Sequence, residues 1–110
     1  MTDEYVVVLS TFPADGDAAA LAATLVEERL AACVNILPRM TSVYLWAERV
    51  EEESEHQLLM KTTMGRVAAL WERLRELHPY DVPEFVVLPI MDGNAAYLKW
   101  IGDSVRPEPV

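Results

Sequence analysis

Four stretches of this chain are rich in β-forming residues, and proline sorts them into two kinds. Residues 5–11 and 56–63 contain none, whereas Pro38 interrupts the run over 33–46 and Pro89 lies within 84–91. Proline has no backbone N–H to give to a ladder, so it is confined to sheet edges and bulges. A sheet built from these runs must therefore place the first and third at its centre and the second and fourth at its edges.

Helical patterning fills the intervals. After a loop over 12–17, Asp17 stands where a helix N-cap is expected. The helix it opens is expected to run to about Ala31, with Leu21, Ala22, Leu25 and Leu30 inward and Glu27, Glu28 and Arg29 outward. Thr63 is expected to cap a second helix with Val67, Leu70, Trp71, Leu74 and Leu77 on one face. His78-Pro79 ends it, because the residue before proline resists the α conformation. A short third helix after Asp92-Gly93-Asn94 turns Tyr97, Leu98 and Ile101 inward. The order β-α-β-β-α-β plus a terminal helix predicts an α+β, ferredoxin-like sandwich, with an antiparallel sheet and a long hairpin between the second and third strands. Residues 1–110 are expected to form a single domain of this kind.

The run Tyr5-Val6-Val7-Val8-Leu9 shows no polar alternation, which reads as a strand covered on both faces. In residues 40–46, Met40, Ser42, Tyr44 and Trp46 share one side, and Thr41, Val43 and Leu45 the other. The acidic stretch over 47–55 reads as a solvated turn region. The hairpin thus outruns both helices and leaves Tyr44 and Trp46 on an aromatic edge, where aromatic residues favour a subunit contact. An apolar fraction of 52% is high for a chain of 110 residues. Cyclic association would close every copy's edge at once.

Charge excludes several partners. Eighteen acidic residues against nine basic ones give a net charge of −9, which repels nucleic-acid phosphates. The third strand, His56-Gln57-Leu58-Leu59-Met60-Lys61, has no aromatic ring to stack on a base. No apolar run approaches membrane-span length, and the start Met1-Thr2-Asp3-Glu4 is acidic where a signal peptide is basic. The expected compartment is the cytoplasm, with no nucleic-acid or membrane partner. The lone Cys33 allows no internal disulfide and reads as a buried, inert thiol. No nucleophile, base and oxyanion donor stand together, and the loop over 10–17 has no cation to cradle a phosphate, so no catalytic residues are expected.

Leu30-Ala31-Ala32-Cys33-Val34-Asn35, Ser42-Val43-Tyr44-Leu45-Trp46, Lys61-Thr62-Thr63 and His78-Pro79-Tyr80-Asp81-Val82-Pro83-Glu84, together with Tyr97-Leu98 and Trp100, resemble the CutA family of divalent-cation-tolerance proteins. The resemblance covers nearly the whole chain. It implies the same ferredoxin-like fold, a homotrimer joined through the long hairpin strands, and an architectural likeness to the trimeric PII signalling proteins. It also implies a role in the response to copper and other divalent cations, and no reaction. Two departures stand out. The family usually has a glycine and a lysine at the second and third positions after the hairpin tryptophan, where this chain reads Ala47-Glu48-Arg49, so the hairpin tip is expected to differ in shape. Some members carry a copper-site cysteine where this chain has Ser10, which argues against a soft-metal site.

The richest cluster is His78, Tyr80, Asp81 and Glu84, pinned by Pro79 and Pro83. His78 and Glu84 are the candidate metal ligands. Tyr80 and Asp81, with Lys61 from the third strand, are the candidate lining of a ligand cleft. The plain alternative is that His78 ends a helix and the prolines fix the path into the fourth strand. The expected ligand is a divalent cation (copper, zinc or manganese) or a small molecule, and no cofactor is required. The function expected is a homotrimeric ion- or small-molecule-binding module, with a PII-like signalling protein or adaptor that docks a protein partner as the alternative.

Overall fold

The computed structural model describes residues 4–107. Strands β1 (Tyr5–Pro13), β2 (Cys33–Ile36), β3 (Met40–Trp46), β4 (Arg49–Thr63) and β5 (Val86–Pro89) form one sheet, with helices α1 (Ala18–Glu27), α2 (Val67–Leu77) and α3 (Ala95–Ser104). Every pairing is antiparallel, in the order β2-β4-β1-β5, and β3 pairs with the first half of β4. This is the ferredoxin-like α+β arrangement with a C-terminal helix added. The two proline-free runs are central, as the proline rule requires; Pro38 falls between β2 and β3, and Pro89 ends the edge strand β5.

Local chemistry sets the helix ends. The Asp17 carboxylate accepts from the Ala20 N–H at 3.0 Å, the expected cap of α1. That helix stops at Glu27, short of the expected Ala31, because Arg29 adopts φ 60° and turns the chain so that Leu30 N–H reaches Leu25 O at 2.9 Å. Thr63 does not cap with its side chain; it leads into a 3-10 turn, Met64–Arg66, ahead of α2. Asn94 caps α3, its side-chain oxygen accepting from Ala96 and Tyr97.

The core lies on one face of the sheet. There Val6, Val8, Leu58 and Met60 meet Leu25 of α1 and Leu70 and Leu74 of α2, all essentially inaccessible. Each such side chain contributes about 1.5–3 kcal/mol by burial. Among the described residues, the opposite face is covered only at one end, where Ile101 and Val105 pack with Ala32, Tyr5 and Ile90. The remainder stays open: Val7, Leu9 and Leu59 are half-buried, and Val86 and Leu88 are each 44% exposed. Within one chain, the two-sided cover expected of β1 is met on one side.

The largest correction concerns residues 47–55. They are not a solvated turn region: β4 begins at Arg49, and only Ala47 and Glu48 form the turn. Both have positive φ, 50° and 65°, the two-residue turn whose twist matches that of a hairpin. The missing glycine leaves this geometry in place and puts two L side chains in the left-handed region. The acidic residues defeated pattern reading because neither face of the 51–55 segment is apolar, so no alternation of hydropathy marks it. The resulting hairpin stretches the molecule to 48 × 26 × 23 Å. Among the described residues, no helix is long and apolar enough to cross a membrane.

Candidate functional site

The α2–β5 connection is stapled across the end of the sheet by three side chains. His78 ends α2, its N–H bonded to Leu74 O at 2.8 Å, and Pro79 prevents a further turn. Its ring is 7% exposed. Nε2 lies 2.6 Å from Thr11 O of β1, and Nδ1 accepts the Tyr80 N–H at 3.1 Å. A carbonyl cannot donate and an N–H cannot accept, so the ring carries its proton on Nε2. Phe12 meets it edge-on at 5.3 Å, and Tyr80 lies tilted at 4.7 Å.

Tyr80 makes the second link, its hydroxyl donating to Glu55 Oε2 of β4 at 2.9 Å. Burial first, and then the bond to Glu55, push the Tyr80 phenol well above the usual tyrosine value, so it stays protonated at physiological pH. The third link runs from Gln57, whose amide donates to Ser10 O at 2.6 Å and Glu84 Oε2 at 2.9 Å. Loop residues 78–84 are thereby tied to both central strands.

These links shape a cleft of about 600 Å³ between the loop and the hairpin. Its floor is Thr11, Glu55 and Gln57; one wall is Tyr80, Asp81 and Glu84, and the other is β3 with Met40, Tyr44 and Trp46. The register Met40↔Glu55, Ser42↔Glu53 and Tyr44↔Glu51 puts the alternate glutamates on the same side as the aromatic residues. Burial and the neighbouring Glu53 and Glu51 raise the Tyr44 phenol pKa. Glu55 is only 6% exposed. Sequence reasoning missed it entirely, having assigned it to solvent. The signal available was the length of β3: a seven-residue strand behind a two-residue turn requires a partner of equal length.

The candidate residues fall into separate places. Tyr80, Asp81 and Glu84 share the cleft, and His78 sits behind it with both ring nitrogens engaged. Among the described residues, no three His, Cys, Asp or Glu side chains converge as a metal site. Lys61 does not join Tyr80 and Asp81 within one chain. It lies six residues along β4 from Glu55, roughly 20 Å at strand rise, bonded to Asn35 Oδ1 at 2.8 Å and above the Tyr97 ring. Cys33 pairs with Lys61 and is half-buried, not buried as expected. Ser10 is fully buried on the Val6–Val8 side, facing away from the cleft. Tyr44 and Trp46 are 39% and 55% exposed.

A ferredoxin-like sheet with an overlong hairpin and a cleft at its base defines a class of small α+β domains. The profile of the CutA1 divalent ion tolerance proteins matches residues 6–104, and this chain belongs to that family. It is 52% identical over 98 residues to the divalent-cation tolerance protein CutA of Thermus thermophilus, covering 89% of this chain and 95% of that one. The crystal structure of CutA1 from Oryza sativa superposes with a TM-score of 0.92 at 41% identity, over 97% of this chain and 98% of its own. A structure described as the PII-like protein CutA from Nostoc, in apo form, gives a TM-score of 0.86 at 31% identity, over 94% and 99%. None of these names is that of an enzyme.

Proposed function

We propose that the chain acts as a homotrimeric, non-catalytic binding module in divalent-cation tolerance, with its ligand site in the cleft at the base of the hairpin. One observation supports the assembly: β1 is apolar on both sides, and the face bearing Val7, Leu9, Val86 and Leu88 is only partly covered among the described residues. An apolar sheet face of this kind calls for a partner. Three copies is the number the family resemblance implies, and the exposed Tyr44 and Trp46 supply the aromatic contacts that subunit interfaces favour.

The ligand is a divalent cation or a small molecule, and the response to copper, zinc or manganese runs through it. The second reading, a PII-like adaptor that docks a protein, draws support from Val43, Leu45 and Val50, which are all at least 61% exposed on the hairpin's other side. Sedimentation equilibrium tests the assembly. The wild type should run as a trimer and Leu88→Glu as a smaller species; a wild-type monomer refutes the reading. Calorimetry with copper, zinc and manganese then separates direct ion binding, which Glu84→Ala should weaken, from a tolerance effect exerted through another ligand.

A further inference from the structure

The chemistry of the cleft is more specific than a general ion site. Three carboxylates, Glu55, Asp81 and Glu84, line it, and among the described residues no lysine or arginine does. Their oxygens are not arranged for a bare metal. Glu55 Oε2 is taken by the Tyr80 hydroxyl and Glu84 Oε2 by Gln57, and no three acidic groups converge. A hard cation needs about six to eight oxygens at short range. At about 600 Å³, the cleft is also far larger than one ion requires and falls in the range of small-molecule sites.

A separate observation marks where a charged group would sit. Glu55 is more than nine-tenths buried, yet only one of its carboxylate oxygens has a partner among the described residues. Oε1 has no partner among the described residues and is within reach of solvent at the cleft that Glu55 lines. A half-satisfied carboxylate at the floor of such a cleft is an acceptor for an N–H donor, especially a charged one. Above it, Tyr80 and the proposed subunit-contact residues Tyr44 and Trp46 present aromatic surface, which favours a cation close to the rings and an apolar body behind it.

We infer that this cleft binds the primary ammonium group of a small organic amine, the N–H groups donating to Glu55 and the carbon skeleton lying against the aromatic wall. Gln57 and Tyr80 position the carboxylates rather than supply charge. This inference rests on the proposal that the cleft is the ligand site, and it adds the class of ligand.

The test is calorimetric titration of the full-length protein at neutral pH with three probes of similar shape: phenethylamine, 2-phenylethanol and 3-phenylpropionate. The amine should bind saturably, with the neutral alcohol weaker by about tenfold or more and the anion not binding. Glu55→Gln keeps the size and an acceptor for Tyr80, and should weaken the amine by about tenfold while leaving the weak alcohol binding unchanged. Should that variant fail to fold, Asp81→Asn, whose side chain makes no hydrogen bond among the described residues, should weaken the amine by about twofold through lost charge. Equal binding of alcohol and amine, amine binding unaltered by these variants, or no amine binding overturns the inference. So does zinc or copper chloride binding that depends on Glu55 while the amine fails to bind. Sedimentation of the same samples reads the assembly separately, so a trimer that ignores the amine refutes the ligand class and leaves the assembly standing.

Discussion

Replacing Glu48 by glycine should make this protein more stable, although the position is exposed and makes no hydrogen bond or salt bridge among the described residues. Ala47 and Glu48 form the whole of the β3–β4 turn and hold φ at 50° and 65°. An L-residue in that region costs about 1–2 kcal/mol, from the approach of its Cβ to the neighbouring carbonyl. Glycine removes that penalty at one of the two positions. It also gives the unfolded chain more freedom, which takes back about 0.4–1 kcal/mol. The net gain is about 0.5–1 kcal/mol per chain, or ~2–6 °C in Tm for a domain of this size. Urea unfolding at matched protein concentration is the assay, because any assembly makes stability concentration-dependent. Glu48→Ala is the control: it removes the charge and keeps a side chain in the left-handed region. If Glu48→Gly is no more stable than Glu48→Ala, the gain is electrostatic and the backbone reasoning is wrong.

Three further predictions concern the staple behind the cleft. His78→Ala strands the Thr11 carbonyl and the Tyr80 N–H, so it should destabilise by about 2–4 kcal/mol in urea unfolding; a loss under about 1 kcal/mol would mean these bonds contribute little. Imidazole nitrogen NMR should show the neutral His78 ring as the Nε2–H tautomer. Tyr80 tests the sign of a pH effect. Its folded pKa lies above its unfolded value, so its contribution is intact below about pH 10 and declines as pH rises beyond it. Wild-type stability should therefore fall as pH rises above about 10, and fall less steeply in Tyr80→Phe; equal slopes would show that burial and the Glu55 bond do not hold the phenol's proton.

The parts of the site legible in the sequence are those built from local chemistry. Tyr80, Asp81 and Glu84 lie in one short segment held by Pro79 and Pro83, so their proximity followed from spacing, and the end of α2 at His78 followed from Pro79. Glu55 was not legible. Its burial depends on Tyr80, 25 residues away, folding back over β4. Lys61 errs in the other direction. Its place at the end of a strand suggested a cleft residue, but strand rise carries it far along β4 to Asn35 and Tyr97.

Proline placement and hydropathy period by themselves determined the order of strands, the helices and the antiparallel sheet, because backbone donors and apolar spacing act over a few residues. The long hairpin was anticipated from aromatic alternation, but its full extent was not. Only the tertiary structure decided that an acidic, apparently solvated stretch is half of the longest strand, for there the pairing is set by register with β3 and not by the glutamates' own hydropathy. Only it decided that one of those glutamates forms the floor of the cleft with an oxygen left open, because side chains distant in sequence supply its burial and its single partner. The open face of β1 belongs to both levels: its apolar residues are written in the chain, and the fold leaves that face partly uncovered among the described residues.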